Sequence, residues 1–125
     1  MNAAIVTPFP RQGPLVLLVL DADAVARCLV CDALRAEGFK VAEASTLDDA
    51  GAVMGSMKVD LVLADLDQCG AAFGDWLRTR HPGARLLFSS SKSGPAAAEA
   101  QVRKPYAVGE VVTQVMPSLH DPSHH

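Results

Sequence analysis

Apolar positions follow two different rhythms along the chain. Leu15–Leu20 is apolar without a break, and Val59–Ala64 has the same leucine- and valine-rich character; both predict strands buried on two faces. Elsewhere the rhythm lengthens to that of helices. Asp23 caps a predicted helix running to about Glu37, with Val25, Leu29, Val30 and Leu34 on one face and Gly38 ending it. A short strand is predicted over Lys40–Ala44. "STLDDAGAVMGSM" then predicts a helix capped by Ser45 or Thr46, weakened by Gly51 and Gly55. A helix over Ala72–Arg80 stops at "HPG", and a strand over Arg85–Ser89 leads into the Ser/Gly/Ala-rich "SSSKSGPAAAEA". A weak strand near Ala100–Arg103 and a helix over Val108–Met116, ended by Pro117, complete the pattern. Residues 1–14, with three prolines and a glycine, read as a flexible arm, residues 15–117 as one domain and residues 118–125 as a flexible tail.

Strands alternating with helices imply an α/β fold, with right-handed crossovers, a parallel sheet and helices on both of its faces. In such sheets ligands lie beyond the carboxyl ends of the strands. Asp21, Asp65 and Ser90 each fall at a predicted strand end, so residues far apart in sequence should meet on one rim. Two carboxylates side by side repel unless a cation separates them. Carboxylate oxygens with a backbone carbonyl suit Mg²⁺. A lysine and a hydroxyl aimed at the same point bind phosphoryl oxygens. An aspartate among them can be the nucleophile that takes a phosphoryl group.

Composition narrows the partners. The chain has 125 residues, half of them hydrophobic and a fifth charged, enough for one core without disulfide or metal staples. A net charge of −3 without any basic cluster argues against nucleic acid and anionic lipid. No apolar run approaches the roughly 20 residues of a membrane span, and the N-terminus lacks the pattern of a signal peptide. Three cysteines, an odd number, argue against a disulfide framework and fit a reducing, cytoplasmic setting. Cys28 and Cys31 spell C-x-x-C, but inside a predicted helix, where two small buried apolar residues are the favoured reading over redox or metal chemistry. Trp76 reads as a covering residue of its helix and His81 as a helix-ending residue.

On these motifs the chain resembles the receiver domains of two-component response regulators, over about residues 15 to 117. "VLLVLDADAVARCLVCDALRAEGF" is similar to the family's first strand, acidic pocket and first helix, and "VDLVLADLD" to its third strand. The resemblance implies a flavodoxin-like, doubly wound sheet of five parallel strands in the order 2-1-3-4-5. It implies that Asp65 is the phospho-acceptor and that Asp21 is an acid of the metal pocket. Asp67 would lend its backbone carbonyl to the metal, and its side chain would either tune hydrolysis of the phosphoryl group or stand as a solvated loop acid. "RLLFSS" places Ser90 at the switch hydroxyl, ahead of Ser89 and Ser91. "RKPY" places Lys104 at the phosphoryl-contacting lysine, before a usually cis peptide, and Tyr106 where an aromatic is common, as a rotating switch residue or a ring packed on the sheet. The implied partners are a histidine kinase or phosphotransfer protein and a downstream protein; whether the chain forms a homodimer stays open. The implied cofactor is Mg²⁺, and no enzymatic turnover is implied.

The chain departs from that pattern in three places. Ala22 stands where a second acid normally ligates the metal, which should weaken Mg²⁺ binding because charge count tunes such sites. Cys69 stands where the loop after the acceptor usually has proline. The segment between Ser90 and Lys104 is too short for a full fourth helix. Two alternatives therefore stand beside a phosphorylated receiver. One is a pseudo-receiver, a binding module that keeps the fold without phosphorylation. The other is a phosphatase of the haloacid-dehalogenase type, whose D-x-D opening resembles "DAD" and "DLD".

Overall fold

The computed structural model describes residues 15–92 and 100–120; the predicted arm over residues 1–14, most of the short segment before Lys104 and the last five residues lie outside the described residues. Five strands, β1 (Val16–Leu20), β2 (Lys40–Ala44), β3 (Leu61–Asp65), β4 (Arg85–Ser90) and β5 (Val102–Arg103), pair in parallel in the order β2-β1-β3-β4-β5. The helices are α1 (Ala24–Ala36), α2 (Leu47–Ser56), α3 (Leu66–Cys69), α4 (Ala72–Arg80) and α5 (Val108–His120). This is the doubly wound α/β sheet that the alternating pattern predicts.

The central strands are apolar throughout because both their faces are covered. Leu17, Val19, Leu61, Leu63 and Leu87 point into one core with Val30, Cys31 and Leu34 of α1 and Val111 and Val115 of α5. Leu18, Leu20, Val62, Ala64 and Phe88 point into a second core with Ala50 and Met54 of α2 and Phe73 and Leu77 of α4. The odd-numbered positions of β1, β3 and β4 thus share one face. Asp21, Asp65 and Ser89 continue that parity at the strand ends.

Local chemistry sets the element ends. Asp23 Oδ1 accepts the N–H groups of Val25 and Ala26 at 3.0 and 3.2 Å, and Thr46 Oγ1 accepts the N–H of Asp49 at 3.1 Å. Gly38, at φ 99°, supplies the left-handed turn that sends α1 into β2.

Several expectations are corrected. Val25 is 80% exposed and Leu29 is also exposed, because Val30, Cys31 and Leu34 form the buried stripe of α1 and Val25 lies about 140° around the helix from Val30 at 100° per residue. Of the C-x-x-C pair only Cys31 is buried, its thiol pushed up to about 12 by burial; Cys28 is exposed. The strand of "KVDLVLAD" starts at Leu61, since Asp60 is used to receive the Val16 N–H on its carboxylate at 2.8 Å. β4 reaches Ser90, one residue further than predicted, and β5 is confined to Val102–Arg103. α5 continues past Pro117 to His120, into the predicted tail; proline removes a donor, but its fixed φ lies in the helical range. The four-residue α3, which no sequence period marks, follows Asp65 directly.

Candidate functional site

The carboxyl ends of β1, β3, β4 and β5 bring Asp21, Asp65, Ser90 and Lys104 to one rim, as the topology requires. Lys104 Nζ lies 2.9 Å from Asp21 Oδ2 and 3.3 Å from Asp65 Oδ2. One ammonium therefore bridges the two carboxylates and cancels their repulsion. Asp21 is 1% exposed and Asp65 8%. Burial pushes the Lys104 ammonium toward deprotonation, but the hydrogen bond and charge of Asp21, with those of Asp65, outweigh it and hold the group above the usual lysine range. The peptide between Lys104 and Pro105 is cis, as the resemblance implies.

Asp21 is held by three donors of the protein. Its Oδ1 accepts the N–H of Asp23 at 3.0 Å, and its Oδ2 accepts the Tyr106 hydroxyl at 3.0 Å as well as Lys104. The phenol has one proton and gives it to Asp21, so Ser89, whose Oγ lies 3.0 Å from the phenol oxygen, donates to Tyr106. Burial pushes the Tyr106 phenol well above its ordinary value. The ring is buried in the core with α1 and α5 and pinned at its hydroxyl, a placement that supports the packed reading of this aromatic. Below the rim, Arg27 donates to the Asp21 carbonyl at 2.6 Å and pairs with Glu43 at 3.0 Å.

Asp65 Oδ1 accepts the N–H of Asp67 at 3.1 Å and so caps α3. That turn carries Asp67 toward β4. Asp67 Oδ1 accepts the Ser90 hydroxyl at 2.7 Å, and its Oδ2 accepts the N–H and hydroxyl of Ser91 at 3.0 and 3.1 Å. The Ser90 hydrogen bond, followed by those of Ser91, holds the Asp67 carboxyl below its usual range. Gln68 Oε1 accepts the N–H of Ala22 at 2.8 Å, while its Nε2 donates to the Ser45 carbonyl at 2.8 Å, tying together the loops after β1, β2 and β3. Ala22 is exposed and brings no ligand.

Sequence reasoning missed Gln68, Arg27 and the separate duties of Ser89 and Ser91. Strand parity is the signal that could have separated the serines: Ser89 shares the face of Leu87, Leu63 and Asp65, and Ser90 points to the other side. Among the described residues no three His, Cys, Asp or Glu side chains are grouped to hold a metal ion.

No protein-family model matches the chain, and no curated protein does. Solved structures do match. The chain is 22% identical to an orphan response regulator of H. pylori, covering 88% of this chain and 99% of that one at a TM-score of 0.75. It is 18% identical to the chemotaxis response regulator CheY4 of Vibrio cholerae, covering 85% and 99% at 0.75. It is 23% identical to a response regulator protein from Burkholderia pseudomallei, solved with a phosphorylated aspartic acid, a calcium ion and citrate, covering 86% and 67% at 0.70. The chain thus has the fold of response-regulator receiver domains over most of its length. None of the described helices is long and apolar enough to cross a membrane.

Proposed function

We propose that this chain is a receiver-type signalling module in which Asp65 accepts a phosphoryl group from a histidine kinase or phosphotransfer protein and a protein partner reads the change at the rim. The observation that carries this reading is the position of Lys104 between Asp21 and Asp65, an acceptor carboxylate already assembled with a phosphoryl-binding cation. In the transfer, an Asp65 carboxylate oxygen attacks phosphorus. A P–O bond forms, the P–N bond to the donor imidazole breaks, and the imidazole leaves with its electron pair and takes up a proton. Lys104 offsets charge on the phosphoryl oxygens, and the Ser90 hydroxyl at the neighbouring strand end, once released from Asp67, would be the neutral donor to them. The phosphorylated aspartic acid in the B. pseudomallei regulator supports this chemistry on the same fold.

Mg²⁺ fits the donor set. Asp21 and Asp65 aim hard oxygens at one point, and the ammonium there is a stand-in cation. Bound by Asp21, Asp65 and the Asp67 carbonyl, the ion would supply further neutralisation of phosphoryl charge. With Ala22 withholding a carboxylate, its affinity would be weak.

The pseudo-receiver is the second reading, favoured by Ala22 and by the engagement of Asp21 with Asp23, Tyr106 and Lys104. Nothing favours the phosphatase: of its two D-x-D acid/base candidates, Asp23 caps α1 and Asp67 is bonded to Ser90 and Ser91. The deciding experiment is incubation with a kinase panel and with acetyl phosphate over a range of Mg²⁺, read by intact mass. The expected result is a phosphoryl adduct on the wild type and none on Asp65→Asn. A wild type unlabelled at every Mg²⁺ concentration leaves the pseudo-receiver reading in its place.

A further inference from the structure

Phosphoryl acceptance as described above makes no use of the Asp67 carboxylate. Yet three donors converge on it: the Ser90 hydroxyl, the Ser91 N–H and the Ser91 hydroxyl, at 2.7, 3.0 and 3.1 Å. A hydroxyl, a backbone amide and a second hydroxyl around one anion are a donor set for an oxyanion. It stands at the end of β4, whose Ser89 lies beside Asp65 in the sheet register. Ser90 is the sharper constraint. Its oxygen also accepts the N–H of Lys92 at 3.0 Å, and a hydroxyl has a single proton. That proton is committed to Asp67. A phosphoryl group on Asp65 can receive it only if Asp67 releases it.

We infer that Asp67 is a resident anion: its carboxylate occupies the Ser90–Ser91 donor set that a phosphoryl group on Asp65 would claim, so phosphorylation must evict it. This rests on the receiver reading of the same site. The contact is built to be broken. Asp67 is exposed, so a change of side-chain rotamer moves its carboxylate into water, whereas the backbone of α3 stays tied by Asp65 and Gln68. The regulatory consequence is a raised threshold: a phosphoryl group binds only with the surplus left after Asp67 is displaced.

The test is a titration with beryllofluoride, a phosphoryl mimic, at fixed Mg²⁺, followed at the backbone amide of Ser91 by NMR in the full chain. Wild type, Asp67→Ala and Asp67→Asn are compared, together with Ser90→Ala and the Ser90→Ala/Asp67→Ala double variant. Without ligand, Asp67→Ala should move the Ser91 amide resonance, since its acceptor is gone. With ligand, Asp67→Ala should bind up to about fivefold more tightly than wild type, the net worth of the hydrogen bonds that no longer have to be broken. Asp67→Asn, which keeps an acceptor oxygen and loses the charge, should fall between them. The gain should shrink in the Ser90→Ala background, where that hydroxyl is no longer contested. A gain of the same size there would mean simple charge repulsion and would overturn the proposal. Equal or weaker binding by Asp67→Ala would overturn it while leaving the receiver reading intact. Binding by none of the proteins would remove both.

Discussion

Two carboxylates two residues apart, Asp65 and Asp67, meet opposite conditions on the same rim. Asp65 belongs to an inner set with Asp21, Lys104, Tyr106 and Ser89, sunk between the strand tips and closed by an ammonium. Asp67 belongs to an outer set with Ser90 and Ser91, satisfied by neutral donors beside open water. The chemical ingredients are similar, but what removing one member costs is not. In the inner set, water cannot replace a lost partner, so each group is held in place by the others. In the outer set Ser90 is buried, but Asp67 and Ser91 are exposed, so water can take over the Asp67 carboxylate and this contact is the freer of the two to move. Position relative to the strand ends therefore separates scaffold from moving part.

The largest break in that contrast should come from Lys104→Met. It leaves Asp21, 1% exposed, and Asp65 facing each other without a cation. Removing one member of a buried ion pair costs about 3 kcal/mol or more. Urea unfolding followed by circular dichroism should show a loss of that order, and Asp21→Asn added to Lys104→Met should return part of it. A Lys104→Met protein as stable as the wild type would mean that the inner set is solvated after all.

Tyr106→Phe comes next. It keeps the ring in the core but strips a donor from Asp21 and an acceptor from Ser89, for a loss of about 1–2 kcal/mol. A pH dependence sharpens the point. Lys104 and Tyr106 both have folded values raised above their unfolded ones. A raised value gives stability that is complete below the unfolded value, about 10 for both groups, and lost as pH climbs through the folded value. The urea midpoint should fall between pH 8 and pH 11, and fall less in Tyr106→Phe and in Lys104→Met.

How much of this was legible in the sequence follows from which contacts are set by chain direction. β1 and β3 announce themselves because strands covered on both faces have no polar alternation. Once they alternate with helices, the meeting of Asp21, Asp65 and Lys104 is a consequence of topology, as is the arrival of Ser90 at the same rim. Hydrogen-bond partners are not set that way. Ser89, Ser90 and Ser91 are identical side chains in a row, and only the pleat of β4 sends one to Tyr106 and the next to Asp67. α3 is too short to show a period, so the turn that delivers Asp67 and Gln68 left no mark. The misread face of α1 has a similar origin: Val25 and Leu29 are apolar without being buried, and periodicity counts them as if they were.

The smallest expected effect is on the stability of Asp67→Ala, and its smallness carries information. Three hydrogen bonds are lost from the carboxylate, and Ser90 is buried, but shortening the exposed Asp67 side chain admits water to the freed donors, so the cost should stay at about 1 kcal/mol or less. The sign of its pH dependence is opposite to that of the inner set. Ser90 and Ser91 hold the folded Asp67 carboxyl below its usual range. Its contribution is therefore present above the unfolded value, about 3.9, and disappears as pH falls through the lower folded value. Wild type and Asp67→Ala should differ slightly at pH 6 and converge in acid. A loss as large as that of Lys104→Met would place Asp67 among the scaffold residues, and an anion that structural could not be the one that phosphorylation displaces.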